Sequence, residues 1–339
     1  MAWFWVFAPL LAGACGGSGG QTEASEGVAS TSAPIVNGTT SDSSQNSVVL
    51  IEDGVDGFAC SGTLISPNLV LTARHCVTNV TSDQIACDQN GNAVQGGTLG
   101  VDYAAGDLQI FVGTTRSVLF PPATAYGIAL FHDSSTNLCD HDVAVIQLNV
   151  GVNAPIATLR LDEGPSTGES FTIVGWGATT STDSPSSRQQ RTDVPLLAIG
   201  ATSYEGLAVP PNNFVVGESI CDGDSGAPAF STTTGAVVGV AADGGNGSQP
   251  GASGNLASTC VDDGQGVANT FTKIAPFKSV IEAAFAAAGG APQVDDAVPA
   301  APSTGGGCAL APRTSPGEPL LALATAALGF SLRRRRRAR

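Results

Sequence analysis

Short runs of strand-forming residues recur along the middle of the chain, separated by clusters of Gly, Asn, Asp and Ser. This spacing is typical of an all-β sandwich or a pair of β-barrels. The runs cover 47–52, 61–73, 108–113, 143–148, 171–177, 194–199, 227–230, 236–242 and 269–274. One good helix candidate follows, Pro276–Ala288, which Gly289 and Gly290 end. Its apolar residues share one helical face: Val280, Ile281, Ala284, Phe285 and Ala288.

The charge of the chain excludes one class of partner. Between 35 and 289 there are seven Lys and Arg against 24 Asp and Glu, a net charge near −17. No basic surface is then available to neutralise phosphates, so nucleic acid is not an expected partner. Six of the 14 basic residues fall within 333–339, which separates this tail from the acidic remainder.

The N-terminal end has the composition of a signal and a linker. An apolar run ending near Cys15 predicts an export signal over 1–15. Its last residues, LAGAC, resemble a bacterial lipoprotein cleavage box, in which the cysteine is lipidated, and ordinary signal cleavage is the alternative. Residues 16–34 are rich in Gly and Ser and are interpreted as a linker or propeptide.

The C-terminal end is a linker over 290–307 and a distinct segment over 308–339. Cys308, an apolar run and an arginine cluster resemble the C-terminal sorting signal of myxobacterial surface proteins. The apolar run is shorter than a transmembrane helix, which needs about 20 residues to cross a bilayer. Membrane contact is therefore expected only through the terminal signals. The protein is predicted to be exported, and either attached to the cell envelope or surface, or secreted.

Cysteine usage agrees with export. Six of the eight cysteines lie between 35 and 289: Cys60, Cys76, Cys87, Cys139, Cys221 and Cys260. An even number in an exported chain suggests three disulfides, although the count does not decide between the possible pairings. Zinc is the alternative, but the sequence has no C-x2-C pair and no nearby Cys/His quartet. Neither a metal nor another cofactor is expected.

Three separated stretches carry side chains suited to acyl transfer. His75 ends an apolar run beside a cysteine, and an imidazole is the natural general base near neutral pH. Asp142 borders a buried run, where a carboxylate needs a hydrogen-bonded partner, and it is preferred to Asp140 as the partner of a histidine. In 221–228 (CDGDSGAP), Ser225 follows Gly223, which lets backbone N–H groups approach a developing oxyanion.

With these motifs in the order His, Asp, Ser, residues 35–289 resemble the trypsin/chymotrypsin-like serine proteases. The matching segments are 35–38 (IVNG), 72–76 (TARHC), 142–145 (DVAV), 175–177 (GWG) and 223–228 (GDSGAP). The resemblance implies two perpendicular six-stranded antiparallel β-barrels with a short C-terminal helix. The first would run from Ile35 to about Ala157, and the second, with the helix, from about Leu159 to Gly289.

The resemblance also implies a role for individual residues. Ser225 would attack the peptide carbonyl, His75 would take and return the proton, and Asp142 would orient His75. The N–H groups of Gly223 and Ser225 would form the oxyanion hole. The pairs Cys60–Cys76 and Cys221–Cys260 match family bridges; the remaining pair, Cys87–Cys139, has no family counterpart.

Activation and specificity follow from the same resemblance. Cleavage before Ile35 would free an amino group that pairs with Asp224, so the chain is expected to be a zymogen. Residues 32–34 (SAP) contain no Arg or Lys, so an unidentified protease that is not trypsin-like must make the cut. The alternative function is a catalytically silent protease homologue that acts as a surface adhesin or scaffold.

The specificity pocket would be formed by Ser219, Ala242 and Gly244. In the family the last two belong to a Ser-Trp-Gly edge, which here reads 242–244 (ADG) and lacks the aromatic wall. Ser219 is neutral, so cleavage of protein or peptide substrates after uncharged residues is expected. A carboxylate that reached the pocket from elsewhere in sequence would change this expectation; the candidates are Glu218, Asp262 and Asp263.

Overall fold

The computed structural model describes residues 35–55, 57–82, 85–116, 122–178, 186–246 and 267–295. These residues belong to one compact unit, Met1–Ala297, and the second unit, Val298–Arg339, lies outside the described residues. The predicted export signal, the linker over 16–34 and the sorting segment over 308–339 lie outside them as well. Of the helices in the described ranges, none is long and apolar enough to cross a membrane.

Strands dominate the described residues. They are β1 (Thr39–Thr40), β2 (Val48–Asp53), β3 (Ala59–Ser66), β4 (Leu69–Thr72), β5 (Thr78–Val80), β6 (Ala86–Cys87), β7 (Ala93–Gln95), β8 (Leu99–Asp102), β9 (Leu108–Phe111), β10 (Ala125–Phe131), β11 (Ala144–Leu148), β12 (Ser170–Gly175), β13 (Gln189–Ile199), β14 (Thr202–Tyr204), β15 (Leu207–Val209), β16 (Asn213–Val216), β17 (Pro228–Ser231), β18 (Val237–Asn246) and β19 (Val267–Lys273). Short 3-10 turns cover Ser43–Gln45, Arg74–Cys76, Ala105–Asp107 and Ala275–Phe277, and the last leads into helix α1, Lys278–Ala288.

Two six-stranded antiparallel barrels result. The first is closed in the order β10-β11-β4-β3-β2-β9, and the second in the order β13-β12-β17-β18-β19-β16 with β13 pairing β16. Alternating inward residues fill each barrel; in the second, Phe214 lies between Phe171 and Phe271, with both ring centroid distances 5.5 Å. The predicted all-β class with two barrels and a short C-terminal helix is confirmed. The helix itself ends as predicted, at Gly289 with φ of 82°.

The two ends of the described chain cross between the barrels, and here the predicted boundaries are wrong. Strand β1, expected in the first barrel, pairs with β13 of the second, and Ile35 lies in the second barrel's core. Helix α1, expected with the second barrel, buries Ile281 and Phe285 in a cluster with Leu69 and Val145 of the first barrel. Each end covers an apolar surface that its own barrel does not bury, which ties the two barrels together.

Arg188 is a buried cation that joins the start of β13 to the chain around β1 and β2. It is fully buried, and its guanidinium donates to Ser41 Oγ (2.7 Å), Val48 O (2.8 Å), Asp42 O (2.6 Å) and Asn46 Oδ1 (3.1 Å). Burial lowers the pKa of Arg188 to about 10, which still leaves the group charged at neutral pH. Hydrogen bonds to neutral acceptors therefore hold this charge in the interior.

Replacing Arg188 by alanine should lower the free energy of unfolding by about 3–5 kcal/mol, because several buried acceptors lose their donor at once. The matched control is Arg116→Ala, since the Arg116 side chain is 42% exposed and pairs with Glu52 near the surface. That control should cost less than about 1 kcal/mol. Urea unfolding of both variants measures the difference, and equal costs would show that the buried hydrogen bonds of Arg188 contribute little.

Candidate active site

Strand pairing in the first barrel brings His75 and Asp142 together. His75 lies in the 3-10 turn after β4, and Asp142 lies two residues before β11. These strands pair with Ala144 opposite Thr72, so the end of one meets the start of the other. The disulfide Cys60–Cys76 fixes the histidine turn to β3. The turn therefore has little freedom to move away from Asp142.

Both carboxylate oxygens of Asp142 form hydrogen bonds with His75. The backbone N–H of His75 donates to Oδ1 at 2.9 Å, and Nδ1 of the ring lies 2.8 Å from Oδ2. Asp142 is only 4% exposed. A hydrogen bond at Nδ1 to an acceptor-only carboxylate places the proton on Nδ1 and leaves Nε2 unprotonated in the neutral ring.

The other two histidines are occupied elsewhere. Nε2 of His132 lies 2.8 Å from Oδ2 of Asp102, and Nδ1 of His141 lies 2.6 Å from Oδ2 of Asp133. Neither lines the cavity that contains His75. Among the three histidines, His75 is the one placed for chemistry in a cavity.

Asp140, the weaker alternative for the acid, has another partner. Its Oδ1 accepts the backbone N–H of Asn212 at 2.5 Å, and its carbonyl accepts Nδ2 of Asn212 at 3.1 Å. Its backbone has φ of 69°, a conformation that Asp tolerates better than most residues. Asp140 thus links the segment leading to Asp142 to the second barrel and does not contact His75.

Ser225 lies in a tight turn packed against the ends of β3 and β4. Its carbonyl accepts the N–H of Ser61 at 2.8 Å. Gly226, with φ of 79°, leaves no room for a side chain, because a Cβ there would overlap the side chain of Thr72 and the backbone of Ser61. The turn that carries Ser225 can approach β4, which precedes His75, only with glycine at position 226. Ser225 and His75 therefore line the same cavity.

The backbone of Gly223 is fixed from the first barrel. Its carbonyl accepts Oγ of Ser61 at 3.1 Å, and the same Oγ accepts the N–H of Trp176 at 3.0 Å. Gly223 has φ of 93°, and a Cβ on it would lie 3.0 Å from Cα of Gly177. Both the conformation and the space thus require glycine, and the peptide on the N-terminal side of Asp224 is held in one orientation.

Asp224 is fully buried directly before Ser225. Oδ1 accepts the N–H of Gly177 at 2.7 Å and Oδ2 accepts the N–H of Cys221 at 3.0 Å. Burial raises the pKa of Asp224 to about 7, because these hydrogen bonds compensate only part of the desolvation. Ile35 is its neighbour: a Cβ built on Gly175 would meet both Oδ1 of Asp224 and Cδ1 of Ile35.

A cavity of about 320 Å³ surrounds these groups. Of the predicted site residues it is lined by His75, Asp142, Ser225, Ala242 and Gly244. Residues that the sequence did not single out complete much of the wall. They include Ile220, Asp222, Asp243 and the β15 residues Leu207 and Ala208; the half-cystines Cys87 and Cys139 of the predicted disulfide also line the cavity.

Ser219 is a correction. It was expected at the base of the pocket, but it does not line the cavity and is fully buried. Its hydroxyl donates to Gly217 O at 3.1 Å, and its carbonyl accepts the N–H of Val36 at 2.7 Å. Glu218, one alternative carboxylate, pairs instead with Arg191 at 2.8 Å. The other candidates, Asp262 and Asp263, lie outside the described residues.

The remaining cysteines bear on metal binding. Cys221 is disulfide-bonded, and its expected partner, Cys260, lies outside the described residues. In the described ranges, one group of potential metal ligands comes close together: Cys60, His75 and Cys76. Its two sulfurs are bonded to each other, and a cysteine binds a metal as its thiolate. Of these three side chains, the imidazole of His75 is therefore the one that could bind a metal.

The comparison with protein families decides the relationship. The family model described as Trypsin matches residues 35–260, two thirds of the chain. The chain belongs to the trypsin family. The matched range contains every residue of the cavity wall except Thr270.

Relatives of this trypsin-family chain are distant. Phenoloxidase-activating factor 3 of Holotrichia diomphalia is 29% identical over 199 residues, which cover 53% of this chain and 53% of that protein. Trypsin-1 of Salmo salar is 25% identical over 211 residues, covering 60% of this chain and 77% of that protein. Chymotrypsin-C of Bos taurus is 27% identical over 198 residues, covering 54% and 66%. The match thus spans about half the length of the first of these relatives.

Within this trypsin-family site, acidic side chains control the protonation of His75. Burial by itself lowers the pKa of the imidazole, but the charge and hydrogen bond of Asp142, together with the charge of Asp243, raise the pKa above its ordinary value of 6.5. Asp243 stands in β18, at the position predicted from sequence to correspond to the aromatic residue of the family's Ser-Trp-Gly edge. Its Oδ1 accepts the N–H of Gly244 at 2.8 Å.

Proposed function

We propose that the chain is a serine endopeptidase in which Ser225, His75 and Asp142 form a catalytic triad. One observation carries the proposal: Asp142 holds His75 through its ring Nδ1 and its backbone N–H, in the cavity that Ser225 lines. No requirement of the barrel fold explains all three side chains at one cavity. Protein or peptide chains are the substrates, and no cofactor takes part.

The chemistry is acyl transfer. Oγ of Ser225 attacks the carbonyl carbon of the peptide bond while Nε2 of His75 takes the hydroxyl proton. The same proton goes to the amine as the C–N bond breaks, leaving an acyl group on Ser225. Water then attacks this ester with His75 as base, and His75 returns the proton to Oγ of Ser225 as the ester C–O bond breaks and the acid product leaves. Throughout, Asp142 keeps the proton on Nδ1 and stabilises the charged imidazole.

The oxyanion is stabilised by the N–H groups of Gly223 and Ser225. The hydrogen bond from Ser61 to Gly223 O supports this role, because it fixes the Gly223–Asp224 peptide, which lies between the two peptides that carry the donors. Donors fixed in advance need no reorganisation when charge develops on the carbonyl oxygen. Ser61 acts through Gly223, so it is a positioning residue.

Activation takes place by cleavage before Ile35, and Asp224 receives the new amino group. Three observations support this step. Asp224 is buried with hydrogen bonds only from N–H groups, and Ile35 lies beside it in the second barrel's core. Ile35 also has φ of 56°, a strained conformation for a β-branched residue, and cleavage removes the preceding carbonyl that causes the strain. The activating protease is a required partner.

The proposal includes export of the protein. It also includes the following division of the chain: a signal over 1–15, a linker or propeptide over 16–34, a protease domain over 35–289, a linker over 290–307 and a sorting segment over 308–339. The disulfides Cys60–Cys76 and Cys87–Cys139 support an oxidising compartment. Any membrane contact is made by the terminal segments.

Hydrolysis by a chain that begins at Ile35 tests the proposal. It should cut internal bonds of an unfolded protein, and mass spectrometry of the products should place the cuts away from the chain ends. The control is the same chain with Ser225→Ala, which should leave the substrate intact. A folded chain that begins at Ile35 and cuts nothing would support the catalytically silent adhesin or scaffold instead.

The pH dependence of kcat/KM should report the raised pKa of His75. The base must be neutral to act, so activity should be lost as the pH falls through a His75 pKa above 6.5. Replacing Asp243 by Asn removes one charge that raises this pKa, so the acid limb of the profile should move to lower pH. Glu282→Gln, on the exposed face of α1, is the control and should leave the limb in place. An unchanged limb in the Asp243 variant would contradict the coupling.

A further inference from the structure

The side chain of Ile220 lines the cavity that also contains Ser225. Ile220 lines the cavity yet is only 3% exposed. A Cβ built on Gly244, on the opposite wall, would lie 2.6 Å from Cγ1 and 2.8 Å from Cδ1 of Ile220. The isoleucine therefore packs directly against the glycine backbone of β18.

Polar groups lie behind this side chain. Asn269 is fully buried, and its Oδ1 accepts the N–H of Ile220 at 3.1 Å. Ser219, also fully buried, donates to Gly217 O. Neither Asn269 nor Ser219 lines the cavity. Ile220 therefore separates the cavity from the position that the family pattern assigns to the base of the pocket.

We propose that Ile220 is the residue that sets the primary specificity of this chain, by closing the pocket so that it accepts a small uncharged side chain on the acyl side of the cut bond. This inference rests on the proposed endopeptidase function. We expect the packed Ile220 side chain to leave room for an alanine or valine side chain and to overlap with leucine or phenylalanine.

Charged side chains are excluded for a separate reason. Lysine or arginine in this pocket would bring a cation against the hydrocarbon of Ile220, and burying an unpaired charge is costly. Glu218 is paired with Arg191, whereas the carboxylates of the cavity wall include Asp222 and Asp243. The exclusion therefore applies to a cation placed against Ile220, and the Arg peptide tests whether either wall carboxylate reaches it.

The test compares peptides that differ only in the residue before the cut bond, with Ala, Val, Leu, Phe or Arg at that position. The enzyme begins at Ile35, and active-site titration with a fluorophosphonate normalises each variant. Ile220→Ala should raise kcat/KM for Leu and Phe relative to Ala by on the order of 10²-fold, since each methylene removed contributes about tenfold or more. Ile220→Val, the graded control, should raise the Leu-to-Ala ratio by about tenfold.

A second experiment, with the Arg peptide, tests whether Ile220 covers the side chain at position 219. Ser219→Asp alone should give no gain, because Ile220 still covers the new carboxylate. The double variant Ser219→Asp with Ile220→Ala should raise kcat/KM for the Arg peptide by on the order of 10²-fold over the parent, as a buried ion pair becomes reachable. A gain in Ser219→Asp that equals the gain in the double variant would overturn the proposal.

The outcomes separate this inference from the function on which it rests. A parent chain that labels with the fluorophosphonate and cuts the Ala peptide supports the endopeptidase function whatever the variants do. Unchanged Phe-to-Ala and Leu-to-Ala ratios in Ile220→Ala would then overturn the role of Ile220 alone. If that variant does not fold, as thermal unfolding would show, the Leu-to-Ala ratio of Ile220→Val decides. A folded parent that neither labels nor cuts overturns both.

Discussion

Replacing Ser225 by alanine should lower kcat by on the order of 10⁶-fold with little change in KM. The nucleophile is lost, while the cavity that binds the substrate is unchanged. His75→Ala should cost nearly as much, and the double variant should cost no more than either single one, because the two side chains act as a unit. Single-turnover and steady-state kinetics on one peptide measure all three variants.

Asp142→Asn extends the same prediction. The amide keeps the shape of the carboxylate but can present an N–H to the ring, which favours the wrong tautomer of His75, and kcat should fall by on the order of 10⁴-fold. Ser219→Ala is the matched control, since Ser219 is buried outside the cavity. It should retain most of the parent activity. A Ser225→Ala variant with activity within tenfold of the parent would contradict the assignment of the nucleophile.

Cleavage before Ile35 should raise activity by at least about 10²–10³-fold, the contribution of one donor of an oxyanion hole. In the uncut chain the carboxylate of Asp224 accepts the N–H groups of Gly177 and Cys221 but is paired with no cation among the described residues, so cleavage adds an ion pair that stabilises the turn carrying Gly223 and Ser225. Asp224→Asn in the cut chain should remove most of the gain, because the amide cannot pair with the new amino group. Full activity in protein that still carries residues before Ile35 would contradict this mechanism.

The stability of the uncut chain gives an independent readout. The pKa of Asp224 is raised from 3.8 to about 7, so between these values the folded state binds more protons than the unfolded state. The free energy of unfolding should therefore fall as the pH rises through this window, by about 4 kcal/mol if Asp224 acts alone. Unfolding of the uncut Ser225→Ala chain at pH 5 and pH 8 should show about 3 kcal/mol of this fall, because the first part of the window lies below pH 5. Asp224→Asn should abolish it.

Local sequence was sufficient for the barrels but not for all of their strands. Nine runs with clear β patterning correspond to strands of the structure, yet two barrel strands were not predicted. Strand β10 contains Gly127, which breaks the pattern; the glycine is needed because a Cβ there would overlap the carbonyl of Ala105. Strand β16 has four residues after a Pro-Pro-Asn turn. Such a short run does not differ from a loop in sequence alone.

The pocket shows the limit of counting along the chain. Counting back from Ser225 leads to Ser219, but the count does not reveal which of two adjacent side chains faces the cavity. Ile220 does so because it packs on Gly244 and because Asn269 holds its backbone. Asp243 could be noticed as a departure from the family pattern, whereas its effect on His75 depends on a contact between the two barrels. Both properties arise from long-range packing.

The most direct test of the endopeptidase proposal is covalent labelling by a fluorophosphonate, with the modified residue located by mass spectrometry. The chain beginning at Ile35 should acquire one adduct, on Ser225, and lose its peptidase activity in parallel with labelling. The His75→Ala variant should label far more slowly, because no base activates the hydroxyl. A folded chain that begins at Ile35 and stays unlabelled, or that is labelled only at another residue, would contradict the proposed function.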